Sequence, residues 1–155
     1  MHLSKKDNKL LAPIIKRLSE KYVNGDIFPP HISVNTYAQI ELDDAISAAM
    51  ECVEGMKKFE VEKASIKYSN KWHKTLYIQI KDNPNLTKIS NRLNKTFGRG
   101  KSPYLLNPHI SLLYKEGMLT KEKGQLAKKL KVSEKYLVSS IAVVTTENKN
   151  DARDY

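Results

Sequence analysis

Two stretches of the chain carry apolar residues at helical spacing. In residues 9–24, Leu10, Leu11, Ile14, Ile15, Leu18 and Tyr22 recur as on one side of a helix. Because proline is tolerated only near the first turn, Pro13 predicts a regular helix from about Ala12, with Gly25 as a stop. In residues 84–97 the pattern predicts a second helix whose apolar side consists of Leu86, Ile89, Leu93 and Phe97.

The remaining segments predict two more helices, several strands and a tail. Residues 43–56 and 120–130 are typical of helices, the second with Thr120 as its N-cap. Alternating or β-branched patterns predict strands at 31–40, 58–69, 71–81, 109–115 and 134–147, with an irregularity near residues 63–64. The polar residues 148–155 predict a flexible tail.

An internal repeat arranges these elements in two halves. Shifting the sequence by 75 positions aligns the apolar residues of the first two helices, Arg17 with Arg92, and "HLS" near the N-terminus with "YIQ". After a three-residue insertion, Pro-His-Ile-Ser at 30–33 falls on Pro-His-Ile-Ser at 108–111. Two such halves can pack about a pseudo-two-fold axis. We therefore predict a bilobal α+β fold, with antiparallel sheets around a central cleft and helices outside.

The two Pro-His-Ile-Ser segments supply the candidate chemistry. Residues i and i+2 of a strand point to the same face, so His31 projects with Ser33 and His109 with Ser111. Two imidazoles around one point can act as general base and general acid near neutral pH. Serine hydroxyls can donate to phosphate oxygens. The set suits hydrolysis of a phosphoester, and the scheme needs no metal.

Other interpretations of the histidines stay open at this stage. Two buried structural histidines, each held by a serine, would leave the same pattern. A metal site requires three or four ligands, and neither segment contains Asp, Glu or Cys. A serine nucleophile would require an orienting carboxylate or a nucleophile elbow, and neither accompanies Ser33 or Ser111.

Composition narrows the class of protein. The 155 residues, 40% hydrophobic and 28% charged, predict one soluble domain over residues 1–155. No apolar run reaches the roughly 18–20 residues of a membrane span, and no secretory signal is visible. The single cysteine excludes a disulfide framework and favours a cytoplasmic setting. A net charge of +10 favours an anionic partner such as a nucleotide or RNA, although scattered lysines also suit a solvated surface.

The paired "PHIS" segments and the repeat resemble the two-histidine phosphoesterase superfamily over most of the chain. "PHISLLY", with Tyr114 three residues after Ser111, is similar to its cyclic phosphodiesterase branch. The resemblance implies a small, monomeric, cofactor-free enzyme that opens ADP-ribose 1″,2″-cyclic phosphate or nucleoside 2′,3′-cyclic phosphates to a phosphomonoester, in the setting of tRNA splicing. His31 and His109 would be the catalytic pair, with His109 as the base.

The resemblance also implies roles around the histidines. Ser33 and Ser111 would bind phosphate and Tyr114 would line the site. Trp72 and Lys74 would bind substrate, although a Trp packed beneath the sheet is an equal alternative. The predicted strand places them on one face and His73 on the other. The loop with Arg99 and Lys101 would hold a pyrophosphate or RNA backbone, or would be a solvated turn. The N-terminal strand is shorter than is usual in the superfamily.

Three alternatives for the function remain. The first is an RNA-directed enzyme of the same superfamily: a 2′,3′-cyclic end phosphodiesterase, a 2′–5′ ligase-like enzyme or a 2′,5′-oligoadenylate phosphodiesterase. The second is a non-catalytic nucleotide- or RNA-binding module, against which both intact histidines argue. The third is the structural interpretation of the histidines given above.

Overall fold

The structure, a computed structural model, describes residues 1–22, 27–36, 40–97 and 103–145. Within these ranges the strands are β1 (His2–Leu3), β2 (Phe59–Tyr68), β3 (Leu76–Ile80), β4 (His109–Leu113) and β5 (Lys135–Ser140). The helices are α1 (Lys5–Tyr22), α2 (Leu42–Val53), α3 (Pro84–Phe97) and α4 (Thr120–Lys129). No helix in the described ranges is both long and apolar enough to cross a membrane.

The five strands form one antiparallel sheet in the order β1-β5-β2-β3-β4. The sheet curls into a half-barrel, and a register shift between Lys63 and Ser65 in β2 confirms the predicted irregularity. Helix α1 packs against β4, α4 against β2, and α3 against α2. The prediction of an α+β fold with antiparallel sheet and outer helices is confirmed. His31 forms a bridge to β1 at one edge of the curled sheet, and His109 lies in β4 at the other edge.

The two halves contain matching elements, with one correction to their alignment. Ile32 and Ile110, the central residues of the two Pro-His-Ile-Ser segments, are both fully buried. His2 lies opposite His31, whereas Gln79 lies opposite His109. His2 therefore corresponds to Gln79, two positions beyond the place that the 75-residue offset gives it. The difference arises because the first half has two more residues between strand and helix: nine positions separate His2 from Leu11, and seven separate Gln79 from the matched Leu86.

The hydrophobic core lies between the sheet and the helices. Matched positions of the repeat contribute to it from both halves: the buried core residues include Leu11 with Leu86 and Leu18 with Leu93 from the helices, and Ile32 with Ile110 and Val34 with Leu112 from the two motif segments. Full burial of one such side chain contributes about 1.5–3 kcal/mol. The core therefore fixes which face of β4 points away from it, which is the face that carries His109.

Helix α1 begins earlier than the proline predicts. It starts at Lys5, so Pro13 lies inside it. Ser4 and Asp7 explain the early start, because the Asp7 amide donates to the Ser4 hydroxyl at 3.2 Å and that hydroxyl donates to the Asp7 carboxylate at 2.6 Å. The pair is a capping arrangement that nucleates a helix before the proline.

Three other predicted elements differ at their ends. In residues 31–36 only His31 forms a bridge, because β1 offers two residues as a partner; Ile32 and Val34 are nevertheless buried, as alternation predicts. Strand β5 ends at Ser140, where its pairing with β1 ends; its pairing with β2 ends earlier, at Val138. Helix α4 has Leu119, not Thr120, at the N-cap position.

Two predictions concern residues that the structure does not describe. The flexible tail at 148–155 and the loop residues Arg99 and Lys101 lie outside the described ranges. They stay predictions from the sequence.

Candidate active site

Each half of the fold holds its histidine in the same way. The Nδ1 atom of His31 lies 2.8 Å from the carbonyl oxygen of Pro29, and that of His109 lies 2.7 Å from the carbonyl oxygen of Asn107. A carbonyl oxygen only accepts hydrogen bonds, so Nδ1 carries the proton of each neutral ring. Both rings therefore keep the Nε2 lone pair available for proton transfer.

Burial lowers the pKa of both imidazoles. Burial lowers the pKa of His31, and burial together with the charges of Lys74, His73 and His31 lowers the pKa of His109 to about 4. His31 is one of the charges that lower the pKa of His109, so the two imidazoles are near enough to interact electrostatically. At neutral pH both rings are neutral in the unliganded protein, so either can accept a proton.

The two motif serines differ in their surroundings. Ser111 is buried, and its hydroxyl donates to the carbonyl oxygen of His73 at 2.8 Å. Ser33 is half-buried, and its hydroxyl forms no hydrogen bond with any of the residues that the structure describes. The symmetry of the sequence motif is thus kept by the histidines and lost at the serines.

The segment Trp72–Lys74 corrects the predicted strand over 71–81. It forms a single 3₁₀ turn, and β3 begins only at Leu76. The Trp72 carbonyl accepts hydrogen bonds from the Lys115 amide at 3.0 Å and from the Thr75 hydroxyl at 2.9 Å. These bonds hold the backbone in a turn. Trp72 and Lys74 therefore do not lie on one face of a strand, as the sequence predicted. His73, predicted to point away, lies close enough to lower the pKa of His109.

Aromatic rings form a wall beside His31. The ring of Tyr114 stacks on that of Phe28, with centroids 3.9 Å apart. The ring of Trp72 meets the Tyr114 ring edge-on, with centroids 5.2 Å apart. Phe28 is 6.3 Å from the His31 ring, again edge to face. The structure thus brings Trp72 and Tyr114 together near the first histidine. Phe28 was not identified from the sequence, although the repeat aligns it with apolar Leu106.

Lys74 lies on the other side, near the second histidine. It is buried, and its Nζ atom sits 4.5 Å from the centroid of the Tyr77 ring. That ring meets the ring of His109 at 5.5 Å. Burial, followed by the charges of Lys71 and Lys67, lowers the pKa of Lys74. The site therefore places a cation and an aromatic ring beside His109.

A group of hydrogen bonds centred on the Asn94 side chain joins the two halves of the fold. The Asn94 side-chain oxygen accepts hydrogen bonds from the Asn35 amide group at 3.0 Å and from the Tyr104 backbone amide at 3.1 Å. Its amide group donates to the Tyr104 carbonyl at 3.0 Å. These hydrogen bonds connect the segment after His31 with the segment before His109, and so limit how far the two histidines can move apart.

Comparison with known proteins identifies the family of this chain. A family model described as cyclic phosphodiesterase-like protein matches residues 3–148. The chain belongs to this family. The predicted cyclic phosphodiesterase branch is thereby confirmed at the level of the family.

A curated relative of this family member gives a narrower comparison. It is a 2′,3′-cyclic-nucleotide 3′-phosphodiesterase of Yarrowia lipolytica (strain CLIB 122 / E 150), 32% identical over 95 residues. The match covers 56% of this chain and 43% of the relative, so it spans less than half of the relative's length. The name of that relative agrees with the prediction of a cyclic phosphodiesterase enzyme.

Proposed function

We propose that this family member hydrolyses a cyclic phosphodiester of a nucleotide to a phosphomonoester. The observation that carries the proposal is the paired geometry of His31 and His109, each with Nδ1 anchored on a carbonyl and Nε2 available. The named activity of the relative supports a nucleoside 2′,3′-cyclic phosphate as substrate. ADP-ribose 1″,2″-cyclic phosphate has the same strained ring on a ribose and is the second proposed substrate.

In this proposal the two histidines have opposite roles. Nε2 of His109 takes a proton from water, whose oxygen forms a bond to phosphorus. The bond from phosphorus to one ribose oxygen breaks, and Nε2 of protonated His31 donates its proton to that oxygen. His109 is assigned as the base because its pKa, about 4, is the more strongly lowered of the two, so its Nε2 stays unprotonated at neutral pH.

The acid must gain its proton when substrate binds. Burial lowers the pKa of His31, so this ring is neutral without a ligand. The negative charge of a bound cyclic phosphate favours the charged imidazolium and raises that pKa. The substrate thereby protonates the group that assists its own cleavage.

The proposed substrate contacts follow from the surroundings of the histidines. In the proposal the Ser33 hydroxyl and the Lys74 ammonium group bind the phosphate, and Trp72 and Tyr114 bind the nucleoside. The support is that Lys74 lies beside Tyr77, whose ring meets that of His109, and that Trp72 contacts Tyr114 near His31. The predicted phosphate contact of Ser111 would require its hydroxyl to leave the His73 carbonyl.

One assay set tests the function. The protein is incubated with 2′,3′-cyclic AMP, ADP-ribose 1″,2″-cyclic phosphate and 2′,5′-linked oligoadenylate, each in EDTA, so that the predicted independence from metal is tested as well. Turnover of the cyclic phosphates alone supports the proposal. Turnover of the oligoadenylate would favour the 2′,5′-oligoadenylate phosphodiesterase instead. Binding of a nucleotide without turnover of any substrate would favour the non-catalytic binding module.

Two substitutions test the mechanism. His31→Ala and His109→Ala should each lower kcat by about 10²–10⁴-fold, the usual contribution of a general acid or base. Asn91→Ala, at an exposed position of α3, is the control. Full activity in either histidine variant would refute the two-histidine mechanism.

A second candidate, an RNA end as substrate, is favoured by the charge of α1. Its exposed face carries six cations, and its single exposed acid, Glu20, is 3.7 Å from one of them; the cations are Lys5, Lys6, Lys9, Lys16, Arg17 and Lys21. The C-terminal end of α1 reaches the site, because Lys115, next to Tyr114, donates its Nζ proton to the Tyr22 carbonyl. Such a face can follow a phosphate backbone.

The RNA candidate is tested by comparing an RNA that ends in a 2′,3′-cyclic phosphate with the mononucleotide. Replacing Lys16, Arg17 and Lys21 by Gln should raise KM for the RNA and leave KM for the mononucleotide unchanged. Lys88→Gln with Lys95→Gln, which removes two positive charges from α3, is the control. Equal effects on both substrates would eliminate a role for α1 in binding RNA. A monomeric state and a cytoplasmic location stay predictions, which gel filtration and cell fractionation would test.

A further inference from the structure

Three lysines form a cluster on the His109 side of the candidate active site. Lys74 is only 8% exposed, whereas Lys67 and Lys71 are exposed. Burial, followed by the charges of Lys71 and Lys67, lowers the pKa of Lys74, so the three ammonium groups are near enough to repel one another. Burial and the charges of Lys71 and Lys74 also lower the pKa of His73.

No carboxylate forms an ion pair with this cluster in the part of the chain that the structure describes. The ion pairs there belong to other lysines: Lys16, Lys63, Lys81 and Lys135. The Lys74 ammonium group instead lies over the ring of Tyr77, 4.5 Å from its centroid. A buried charge is costly when no opposite charge accompanies it. Such an arrangement is typical of a site that an anionic ligand completes.

Hydrogen bonds fix the backbone from which two of the lysines project. The Ser69 hydroxyl donates to the Lys74 carbonyl at 2.7 Å and accepts from the Lys71 amide at 3.2 Å. The buried Lys123 of α4 donates to the Ser69 carbonyl at 2.8 Å and to the side-chain oxygen of Asn70 at 2.6 Å. The cluster is therefore largely formed before a ligand binds, which lowers the entropic cost of binding.

The third lysine lies in the same row of the sheet as a residue of the candidate site. Lys67 of β2 is opposite Tyr77 of β3, and Tyr77 is opposite Ser111 of β4. Residues directly opposite one another point to the same face of a sheet. Because neighbouring strands are about 4.8 Å apart, the backbones of Lys67 and Ser111 are about 10 Å apart. The Tyr77 ring contacts both Lys74 and the His109 ring, and so connects the cluster with the site.

A nucleotide can carry negative charge at two places on one ribose. A cyclic phosphate joins two neighbouring hydroxyls, and a further phosphate is attached to the 5′ oxygen, at the far end of the sugar. With the cyclic phosphate at His31 and His109, the 5′ oxygen is one ribose away, within reach of long lysine side chains. Trp72 and Tyr114 lie beside His31 and the cluster lies beside His109, so a base and a 5′-phosphate would occupy different sides of the site.

We propose that Lys67, Lys71 and Lys74 form a second anion site, which binds a phosphate on the 5′ oxygen of the ribose that carries the cyclic phosphate. The inference rests on the proposed function and narrows its substrate class to nucleotides with such a 5′-phosphate. The group has two sources: the pyrophosphate of ADP-ribose 1″,2″-cyclic phosphate, and the phosphodiester before the last nucleotide of an RNA. Lys74 is the one of the three lysines whose charge lowers the pKa of His109, so it lies between the two phosphates.

The affinities of two nucleotides test the site without turnover. Adenosine 2′-phosphate and adenosine 2′,5′-bisphosphate differ only in the 5′-phosphate, and calorimetry measures the affinity of each. The unmodified protein should bind the bisphosphate about tenfold or more tightly, as expected for charge-assisted hydrogen bonds to the added anion. Lys67→Gln with Lys71→Gln should reduce this ratio to about threefold or less. Lys88→Gln with Lys95→Gln removes the same charge from α3 and should leave the ratio unchanged.

A kinetic experiment identifies the source of the 5′-phosphate. The loss of kcat/KM in the Lys67 and Lys71 double variant is measured with ADP-ribose 1″,2″-cyclic phosphate and with a dinucleotide RNA that ends in a 2′,3′-cyclic phosphate. Each loss is divided by the loss with 2′,3′-cyclic AMP, which has no 5′-phosphate. A remaining loss with only one substrate identifies a pyrophosphate or a phosphodiester as the ligand. A remaining loss with both shows that the 5′-phosphate itself is recognised, and no remaining loss with either would contradict the inference.

The outcomes separate this inference from the proposed function. Equal affinity of the unmodified protein for the two nucleotides would overturn the inference, as would a ratio that the double variant leaves unchanged. An equal fall of the ratio in the α3 control would overturn it too, because net charge alone would then account for the preference. Absence of turnover with every cyclic phosphate would refute the proposed function, while the ratio of the two affinities would still decide whether the second anion site exists.

Discussion

Phe28 and Tyr114 stack with their ring centroids 3.9 Å apart and their planes at 11°. Phe28 precedes the first Pro-His-Ile-Ser segment and Tyr114 follows the second, so the stack joins the two halves at the candidate active site. Because Phe28 covers one face of the Tyr114 ring, that face is not available to a nucleobase. The Trp72 ring also meets the Tyr114 ring edge to face at 5.2 Å, which further restricts how Tyr114 can contact a substrate.

The stack predicts that Phe28 influences catalysis without touching the reacting atoms. Phe28→Leu keeps an apolar side chain and removes a ring pair worth about 0.5–1.5 kcal/mol. As Phe28 also contacts His31, we expect kcat to fall by about 2–10-fold, the rate change that corresponds to this energy. Steady-state kinetics with 2′,3′-cyclic AMP measures the effect. Phe59→Leu, in β2, is the matched control, and an equal loss in both variants would contradict the prediction.

The charge of Lys74 predicts the acidic limb of the pH profile. With His109 as base and its pKa at about 4, kcat/KM should begin to fall only as the pH approaches 4, far below the value of about 6.5 for a free imidazole. Lys74→Met removes one of the positive charges that lower this pKa. The limb should therefore move to higher pH in the variant.

The control for this experiment is Lys88→Met, at an exposed position of α3. It should leave the acidic limb where it is in the unmodified protein. A limb near pH 6.5 in the unmodified protein would contradict the assignment of His109 as the base. So would an acidic limb that Lys74→Met does not move.

The residues of the two motifs could be predicted because their placement depends on local alternation. Burial of Ile32 and Ile110 turns the neighbouring histidines away from the core, and this follows from strand geometry alone. The turn at Trp72–Lys74 could not be predicted in the same way. Its backbone is held by Lys115 and Ser111, about 40 residues further along the chain. Such contacts leave no periodic signal in the sequence.

Pairing partners limited the prediction of the strands. Residues 31–36 and 141–145 have the composition of strands, but a strand ends where its neighbour ends. Here the short β1 determines both ends, through its bridge to His31 and its pairing with Ser140. The start of α1, in contrast, had a local signal in Ser4 and Asp7 that outweighs the proline nine residues into the helix.

The capping arrangement and the proline give opposite predictions for stability. Ser4→Ala removes the acceptor of the Asp7 amide and should lower the free energy of unfolding by about 1 kcal/mol. Pro13→Ala allows a hydrogen bond within the exposed part of α1 and should raise it by about 1–3 kcal/mol. Urea unfolding followed by circular dichroism measures both. Destabilisation by Pro13→Ala would mean that the helix requires its proline.

The lowered pKa of His109 also predicts how stability depends on pH. The ring titrates at about 4 in the folded protein and at about 6.5 in the unfolded chain. Between these values the unfolded chain binds a proton that the folded protein does not bind. The contribution of His109 is therefore fully present above pH 6.5 and is lost as the pH falls towards 4.

One variant isolates the contribution of His109 to the change of unfolding free energy with pH. The full shift would correspond to about 3 kcal/mol, and partial exposure of the ring to solvent reduces this to about 1–2 kcal/mol. His109→Gln removes the titrating group, so from pH 7.5 to pH 4.5 the variant should lose about 1–2 kcal/mol less unfolding free energy than the unmodified protein. Urea unfolding at the two pH values measures this difference. Parallel losses in the two proteins would show that burial does not hold His109 in its neutral form, and would remove the main argument for its role as the base.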